Sequence, residues 1–497
     1  MKLSLTILAA TLLLLGLAST TPAATFTWNG GGDSDTNWST GINWTDSNAP
    51  ANDGTADIAM SHPSGTWYDS TIDQAWSVKT ITFSGAYATL KGQPLTIANT
   101  ITNSIAVSKL QNDLVLGNHV TVYANYGILL IGTAGGTITA ANKNLQIRGG
   151  NSADVSSAIN LGTGAVSITT ATTNAVFRNA NSSYSGGTSI WCGTLSIDSI
   201  ADQGVNSAIG TGAIYLGQNA SGVNGTGTLK FNGASGGSSN RNFYLLSNAS
   251  GSSTGIIENT VAGQTLALSG DFVYDSTSGS QGAWKFTGSG NGLVSGNITT
   301  TGASLAKEGT GTWKLTGNNT YGGGTTVSVG TLLVSNTLGS GTGSGNVTVA
   351  SGATLGGTGI IDPGTGNSVT INGILAPGES AGTLTVGSLG STNDVFLSGT
   401  YSADLGDLLK VYGALSLGGS SILTLSGSPT PGTNYTLASY TGGLTGTFAT
   451  INNLPDGWQV TYGGNAITLG LIPEPVSLAL LAAGGLLLGA RRRVGPR

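Results

Sequence analysis

The sequence predicts an all-β protein whose body is a parallel, right-handed β-helix, and three observations support this fold class. Gly accounts for 82 of the 497 residues and only 8% are charged, which disfavours helices because Gly costs roughly 1 kcal/mol per helical position relative to Ala. Short segments that alternate apolar residues with Thr or Ser recur between turn residues, and a period of two is typical of strands with one buried face. A gap-free internal repeat indicates units that bury their apolar faces by stacking on one another.

The composition also excludes several classes of protein. Gly does not recur at every third position, which excludes collagen, and 38% hydrophobic residues with little charge exclude charge-driven disorder. The single cysteine, Cys192, excludes an intramolecular disulfide. A formal net charge of −5 argues against nucleic acid as a partner, because Lys and Arg drive that binding by neutralising phosphates.

The first 24 residues have the features of a secretory signal peptide. Lys2 provides a basic start, an apolar run extends from Leu3 to Ala18, and small residues lead to Ala24. This order is the usual layout of a signal peptide that is removed after export. We therefore expect the mature protein to begin near residue 25, outside the cytoplasm.

The last segment, residues 473–497, combines three elements in a fixed order. An apolar stretch, residues 476–490, lies between a Pro-Glu-Pro motif and an Arg cluster. Its fifteen residues make a helix about 22 Å long, which is short of the roughly 30 Å hydrocarbon core of a bilayer. The sequence predicts a short transmembrane helix with the Arg cluster on the cytoplasmic side. The motif is Pro473, Glu474 and Pro475, and the cluster is Arg491, Arg492 and Arg493.

This tail resembles the PEP-CTERM sorting signal of Gram-negative bacteria. In that family the Pro-Glu-Pro motif, the apolar helix and the Arg cluster direct a protein to an exosortase, which is thought to remove the tail. The resemblance implies an exosortase-type processing enzyme as a partner and transient insertion into the inner membrane. It also implies that the processed protein reaches the cell surface or the extracellular matrix.

The internal repeat reads N-x-x-Y-x-G-G-T-x-[IV]-x-x-G-T-L, and its best copies lie in residues 181–216 and 305–355. We expect each Tyr to fill an equivalent site between stacked turns and the glycines to form tight corners. Thr and Asn at the corners are expected to stack between turns and to satisfy backbone groups. The repeat positions are Tyr184, Gly186, Gly187 and Thr188 in the first copy, and Tyr321, Gly323, Gly324 and Thr325 in the second.

These residues resemble the autotransporter-associated β-strand repeat, also called the passenger-associated transport repeat. The second copy includes the preceding strand K-x-G-x-G-x-W-x-L, whereas the first copy lacks it. The resemblance implies an extracellular β-helix. At about 20 residues per turn and about 4.8 Å between strands, such a body would extend about 100 Å.

The region between the two termini divides into three parts. Residues 25–80 form a Trp-rich N-terminal cap, residues 81–387 the β-helix body, and residues 388–472 a C-terminal β region. A solenoid needs its ends covered, so packing against the first turn is the first interpretation of the early tryptophans. Stacking on sugar rings is the alternative for the candidates Trp28, Trp38 and Trp44.

The sequence shows no catalytic constellation and no metal site. Asp53 and Asp57 offer oxygen ligands, but their spacing matches neither an EF-hand loop nor a calcium-binding β-roll repeat. Glycoside hydrolysis needs two carboxylates at a set separation, and the acidic residues of the body are scattered. Cys192 has no His near it in the sequence, and neither His62 nor His119 shows a partner there. We therefore expect no metal, no cofactor and no enzymatic activity.

Two classes of function remain open at this stage. The first is a structural or adhesive protein of a bacterial surface or extracellular matrix, whose uncharged Thr, Ser and Asn side chains contact polysaccharide or other cells. The second is a β-helical polysaccharide-degrading enzyme, either a lyase or a glycoside hydrolase. A glycan screen that follows reducing-end or unsaturated-uronate release would separate the two.

Overall fold

The described part of the chain folds into a parallel β-solenoid, and its only helix is the short 3-10 segment Gly41–Asn43. The all-β prediction is therefore confirmed. The structure is a computed structural model. It describes residues 24–30, 35–61, 68–85, 88–133, 135–217, 225–246, 253–274, 282–390 and 392–473.

The two terminal predictions lie almost wholly outside the described residues. Residues 1–23 of the expected signal peptide and residues 474–497 of the expected sorting signal are not described, and Pro473 is described and exposed. Within the described ranges, no helix combines the length and the apolar character needed to cross a bilayer.

Sheet A runs along the N-terminal half of the solenoid. It contains fourteen strands in the part of the chain that is described, and the pairings between them are parallel. Its strands are Thr25–Trp28, Asp57–Met60, Trp76–Phe83, Leu95–Asn103, Leu114–Leu116, Val120–Ala124, Thr137–Thr139, Leu145–Arg148, Ala158–Asn160, Val166–Ile168, Thr188–Ile190, Ile214–Leu216, Phe243–Leu245 and Phe272–Tyr274.

Sheet B runs along the whole solenoid and contains seventeen described strands, each paired in parallel with the strand of the next turn. Its strands are Tyr68–Ile72, Ala88–Gly92, Val107–Leu110, Ile128–Ile131, Ser152–Val155, Asn174–Phe177, Gly193–Ile197, Thr226–Phe231, Thr254–Asn259, Ala283–Thr287, Ser304–Lys307, Thr325–Val327, Val347–Val349, Val369–Ile371, Val395–Leu397, Leu415–Leu417 and Leu444–Thr445.

Sheets C and D form the remaining faces of the C-terminal half. Sheet C has ten described strands, and sheet D has six. The strands of sheet C are Gly237–Ser239, Thr265–Leu268, Asn291–Val294, Thr312–Leu315, Thr331–Val334, Thr354–Gly357, Ile374–Pro377, Thr400–Asp404, Ile422–Ser426 and Thr450–Asn452. Those of sheet D are Ile360–Ile361, Thr383–Val386, Leu408–Val411, Tyr435–Tyr440, Trp458–Gly463 and Ala466–Leu471.

The solenoid is shorter than the sequence predicts. Sixteen spacings of about 4.8 Å separate the seventeen strands of sheet B, which gives a length of about 77 Å instead of about 100 Å. The difference arises because many turns hold more than 20 residues. The longest connection between successive sheet B strands joins Gly193–Ile197 to Thr226–Phe231, and its described part includes a loop, residues 201–212.

Alternation along each strand builds the hydrophobic interior. In Leu145–Arg148 the side chains of Leu145 and Ile147 are buried while Gln146 is half-buried on the outer face. Leu145 pairs with Val120 in the preceding turn and with Val166 in the next. Because the strands pair in register, apolar side chains stack on apolar side chains along the axis.

Asn and Asp side chains form ladders at the corners, as the sequence analysis predicts for Asn. Asn242 Oδ1 accepts the backbone N–H of Asp271 at 3.0 Å, and Asp271 Oδ1 accepts that of Asn297 at 2.8 Å. Asn297 Oδ1 in turn accepts the N–H of Asn318 at 2.9 Å. Each carboxamide or carboxylate thus satisfies a backbone donor that the corner removes from the strand pairing.

Aromatic residues close the N-terminal end of the interior. The Trp44 ring lies between Trp28 and Trp38, with ring centroids 5.2 and 5.4 Å away in edge-to-face contact. Trp38 also packs edge-to-face on Trp76 at 5.7 Å. At the opposite end the parallel pattern stops, because the last two strands of sheet D form an antiparallel hairpin.

Candidate functional site: the repeat corners and an outer groove

The two repeat tyrosines occupy equivalent buried sites. The Tyr184 hydroxyl lies 2.7 Å from Thr188 Oγ1, and the Tyr321 hydroxyl lies 2.6 Å from Thr325 Oγ1. Each Thr hydroxyl donates its proton to a carbonyl of the next turn, that of Ile209 or Thr342. The Tyr hydroxyl must therefore be the donor to the Thr oxygen. Burial raises the pKa of both tyrosines above its usual value.

The two adjacent glycines of each copy have different reasons to be Gly. Gly187 and Gly324 both have φ near +87°, the left-handed region that other L-residues rarely adopt. At Gly186 a Cβ would lie 2.4 Å from the carbonyl oxygen of Thr163, and at Gly323 it would lie 2.7 Å from the same atom of Ala303. The first Gly of each pair thus allows the backbone to approach the preceding turn closely. The second Gly allows the positive φ angle that the corner requires.

The two copies lie on different faces of the solenoid. Thr188–Ile190 of the first copy belongs to sheet A, whereas Thr325–Val327 of the second belongs to sheet B. The strands that follow them, Gly193–Ile197 and Thr331–Val334, belong to sheets B and C. The corner geometry is nevertheless the same in both copies, so it depends on the repeat itself and not on the face that carries it.

Lys307 is a buried cation in the second copy that the sequence analysis did not identify. Its Nζ donates to the carbonyl oxygens of Glu308, Gly309 and Val329 at 2.8 to 3.0 Å, and the side chain has no exposed surface. Burial lowers the pKa of Lys307 to about 8, with the Glu308 carboxylate acting in the opposite direction. Lys307, the first residue of the K-x-G-x-G-x-W-x-L strand, therefore hydrogen-bonds to the corner of its own turn and, through Val329, to the corner of the next turn.

Lys307 should make the stability of the solenoid depend on pH in the alkaline range. Its folded pKa of about 8 lies below the ordinary value of 10.5, so the unfolded chain binds more protons between these values, and the free energy of unfolding rises with pH. We expect the stability of the wild type relative to Lys307→Met to increase by about 2 kcal/mol between pH 8 and 10. Denaturant titrations at each pH measure this difference.

The variant Lys307→Arg provides the control, because a guanidinium stays charged throughout this range. Its stability relative to Lys307→Met should stay level with pH. If the difference in unfolding free energy between the wild type and Lys307→Met also stayed constant with pH, it would contradict the lowered pKa of Lys307.

Arg241 is the second buried cation, and nothing in the sequence pattern marks it. The five N–H groups of its guanidinium face seven acceptors, the Ser207 hydroxyl and six backbone carbonyl oxygens of the loop formed by residues 201–212, so acceptors share hydrogens at Nη2. Burial lowers its pKa below the usual value, whereas the Asp202 carboxylate favours the charged form. The six carbonyls are those of Ala201, Asp202, Val205, Ile209, Gly210 and Gly212.

The structure contradicts sugar stacking by Trp28, Trp38 and Trp44. All three rings are fully or almost fully buried, at 0, 0 and 1% exposure. The Trp38 indole N–H donates to the Ser70 hydroxyl, and that of Trp44 donates to the Trp38 carbonyl. A ring enclosed in this way presents no face to a ligand. These side chains pack in the N-terminal end of the core, which was the other interpretation.

Several acidic residues of the body form ion pairs or hydrogen bonds with residues of other turns. Glu308 pairs with Lys285 at 2.9 Å and Glu379 with Lys314 at 2.6 Å. Asp407 Oδ1 accepts the backbone N–H of Gly382, and burial raises its pKa. Within the described residues, no group of three or more His, Cys, Asp and Glu side chains is arranged to hold a metal ion.

A groove of about 300 Å³ lies on the outer face of sheet A, and the sequence analysis did not predict it. Its floor is a row of polar side chains in register on four successive strands: Thr121, Gln146, Ser167 and Ser189. Trp191 lines one side and is half-buried. Only the register of the strands brings these residues together, since each is about one turn from the next in the chain.

His119 and Asn144 also line the groove. The Asn144 backbone N–H donates to His119 Nδ1 at 3.0 Å, which makes Nε2 the nitrogen that carries the proton in the neutral ring. Beyond Ser189 the same row continues with Tyr215 and Tyr244. Their rings stack with centroids 5.0 Å apart and planes 21° from parallel.

The fold and its corners define a parallel β-solenoid built partly from repeated units. Residues 176–197 and 305–334 match the passenger-associated-transport-repeat family, and the chain is similar to that family in these two segments. The segments contain Tyr184 and Tyr321 with the glycines and threonines that follow them. No curated protein matches the chain. The repeats and the solenoid fit an exported, passenger-like surface protein.

Proposed function

We propose that the protein is a structural and adhesive component of a bacterial surface or extracellular matrix, sorted by a PEP-CTERM and exosortase-type system. The observation that carries this proposal is the pair of passenger-associated-transport repeats inside one continuous run of parallel turns. The resemblance to this repeat implies an extracellular β-helix, and such a solenoid would expose a long face to partners outside the cell. The resemblance of residues 473–497 to a sorting signal supports the route to that surface.

The side chains of the solenoid favour a display role. Its interior is filled by apolar residues from every turn, so the fold has a continuous core. Most outward positions carry Thr, Ser or Asn, and several of the outward charged residues are paired between turns, as in Arg178 with Asp154 and Lys230 with Glu258. A surface of this kind offers many hydrogen-bonding groups and little net charge to a partner.

Processing of the tail provides the test of the sorting route. In the native host we expect the wild type to lose its C-terminal tail and to become accessible to surface proteases and antibodies. Glu474→Ala should leave a full-length form in the inner membrane, because the motif that the processing enzyme would read is altered. Cell fractionation and mass spectrometry of the C-terminal peptides measure both outcomes.

Glu258→Ala is the matched control, since it removes the same side chain from the outer face of the body. It should be processed and displayed like the wild type. Mature surface protein that still contains Arg497 would show that the tail is a permanent anchor.

A further inference from the structure

We propose that the groove on sheet A binds an extended neutral polysaccharide, with the Trp191 ring stacked on a sugar face and the chain lying along the solenoid axis. The proposal rests on the proposed surface location, since it names the partner that such a protein would meet there. The site is the groove described above, defined by Thr121, Gln146, Ser167, Ser189 and Trp191.

The chemistry of the lining favours neutral sugars. None of the nine residues that line the groove is formally charged at neutral pH. The Ser167 hydroxyl and the Gln146 carboxamide can both donate and accept hydrogen bonds, and the His119 imidazole can donate from Nε2 because its Nδ1 already accepts from Asn144. This combination matches the hydroxyls of a sugar. An acidic polymer such as a polyuronate would find no cation in this lining to pair with its carboxylates.

The geometry favours a linear polymer over a compact ligand. The row of polar side chains repeats once per strand, about 4.8 Å apart, a distance comparable with the length of one pyranose unit. The small residues Ala165, Ser167 and Ser189 keep the floor low, and the stacked rings of Tyr215 and Tyr244 continue the same row. A chain that crosses several turns would meet Trp191 and then a second aromatic surface.

The repeat does not require Trp191. The gap-free alignment of the two copies places Ser328 at the same repeat position. The backbone makes the same contact at both places: Trp191 N–H donates to the Ile168 carbonyl and Ser328 N–H to the Lys307 carbonyl, each at 2.9 Å. The corner therefore forms with either side chain, and the large half-buried ring is a feature added to one copy on the side of the groove.

Affinity electrophoresis of the full chain, purified in mild detergent, tests the proposal. The gels contain a β-glucan, a xylan, a mannan or a dextran as neutral polymers, and polygalacturonate as the acidic one. We expect retardation by at least one neutral polymer and none by polygalacturonate. Trp191→Ser should weaken that binding about tenfold, because it removes the stacking surface, and should keep the wild-type melting temperature because Ser328 occupies the same position in the second copy.

Phe396→Ser is the matched control. It also removes an exposed aromatic ring, but from the outer face of sheet B, and should leave binding unchanged. Absence of binding to all neutral polymers, stronger binding to polygalacturonate, or equal binding by Trp191→Ser would each overturn the proposal. These results concern purified protein, so they would leave the proposed export and surface location standing.

Discussion

Arg241→Met is expected to destabilise the first repeat by at least about 3 kcal/mol. The guanidinium is the donor to six backbone carbonyls, those of Ala201 and Gly212 among them. A methionine side chain fills much of the same volume but has no hydrogen-bond donor. The carbonyls are then left buried without donors, or the loop opens to water.

Hydrogen exchange is the best measurement for this variant, because a solenoid opens locally and its overall unfolding need not be two-state. Protection should fall first in residues 201–216, next to the altered side chain. Arg178→Met is the control, since Arg178 is about half exposed in its ion pairs with Asp154 and Asp198, and surface pairs contribute about 1 kcal/mol or less. Unchanged exchange in Arg241→Met would show that the loop holds its shape without the guanidinium.

Tyr321→Ala is expected to cost about 2–4 kcal/mol, because it leaves a cavity between two turns. The ring is 1% exposed and belongs to the continuous core. Tyr321→Phe keeps the ring and removes only the hydrogen bond to Thr325, so it should cost about 1 kcal/mol. Chemical denaturation of the wild type, Tyr321→Phe and Tyr321→Ala measures the separate costs of losing the hydrogen bond and the ring.

Tyr184 offers an internal comparison for this series. Its contacts with Thr188 repeat those of Tyr321 with Thr325, so Tyr184→Ala and Tyr184→Phe should reproduce the same order of effects. Equal stability of Tyr321→Ala and the wild type would mean that the ring does not fill the core in solution.

The repeat corners could be predicted from the sequence because all their parts are local. Tyr321 and Thr325 lie four residues apart, and the glycines lie between them. The period of two along each strand likewise assigned the buried faces, as for Leu145 and Ile147. Predicting these features does not require knowing which turns stack together.

The parts that could not be predicted depend on distant segments. The acceptors of Arg241 lie 29 to 40 residues from it, and the floor of the groove is assembled from four turns. The lengths of the turns vary with inserted loops, so the sequence does not set which residues meet. Composition alone also cannot tell whether Trp38 faces the core or the solvent.

The face shift between the two copies has a consequence for what the solenoid displays. Because each corner carries its own Tyr–Thr bond and its own glycines, a unit can start on sheet A or on sheet B without altering its internal contacts. The side chain at one repeat position, Trp191 or Ser328, is thereby directed to a different side of the axis in each copy. The side of the solenoid on which this side chain is displayed is thus set by the sheet on which a unit begins, and the corner geometry stays the same.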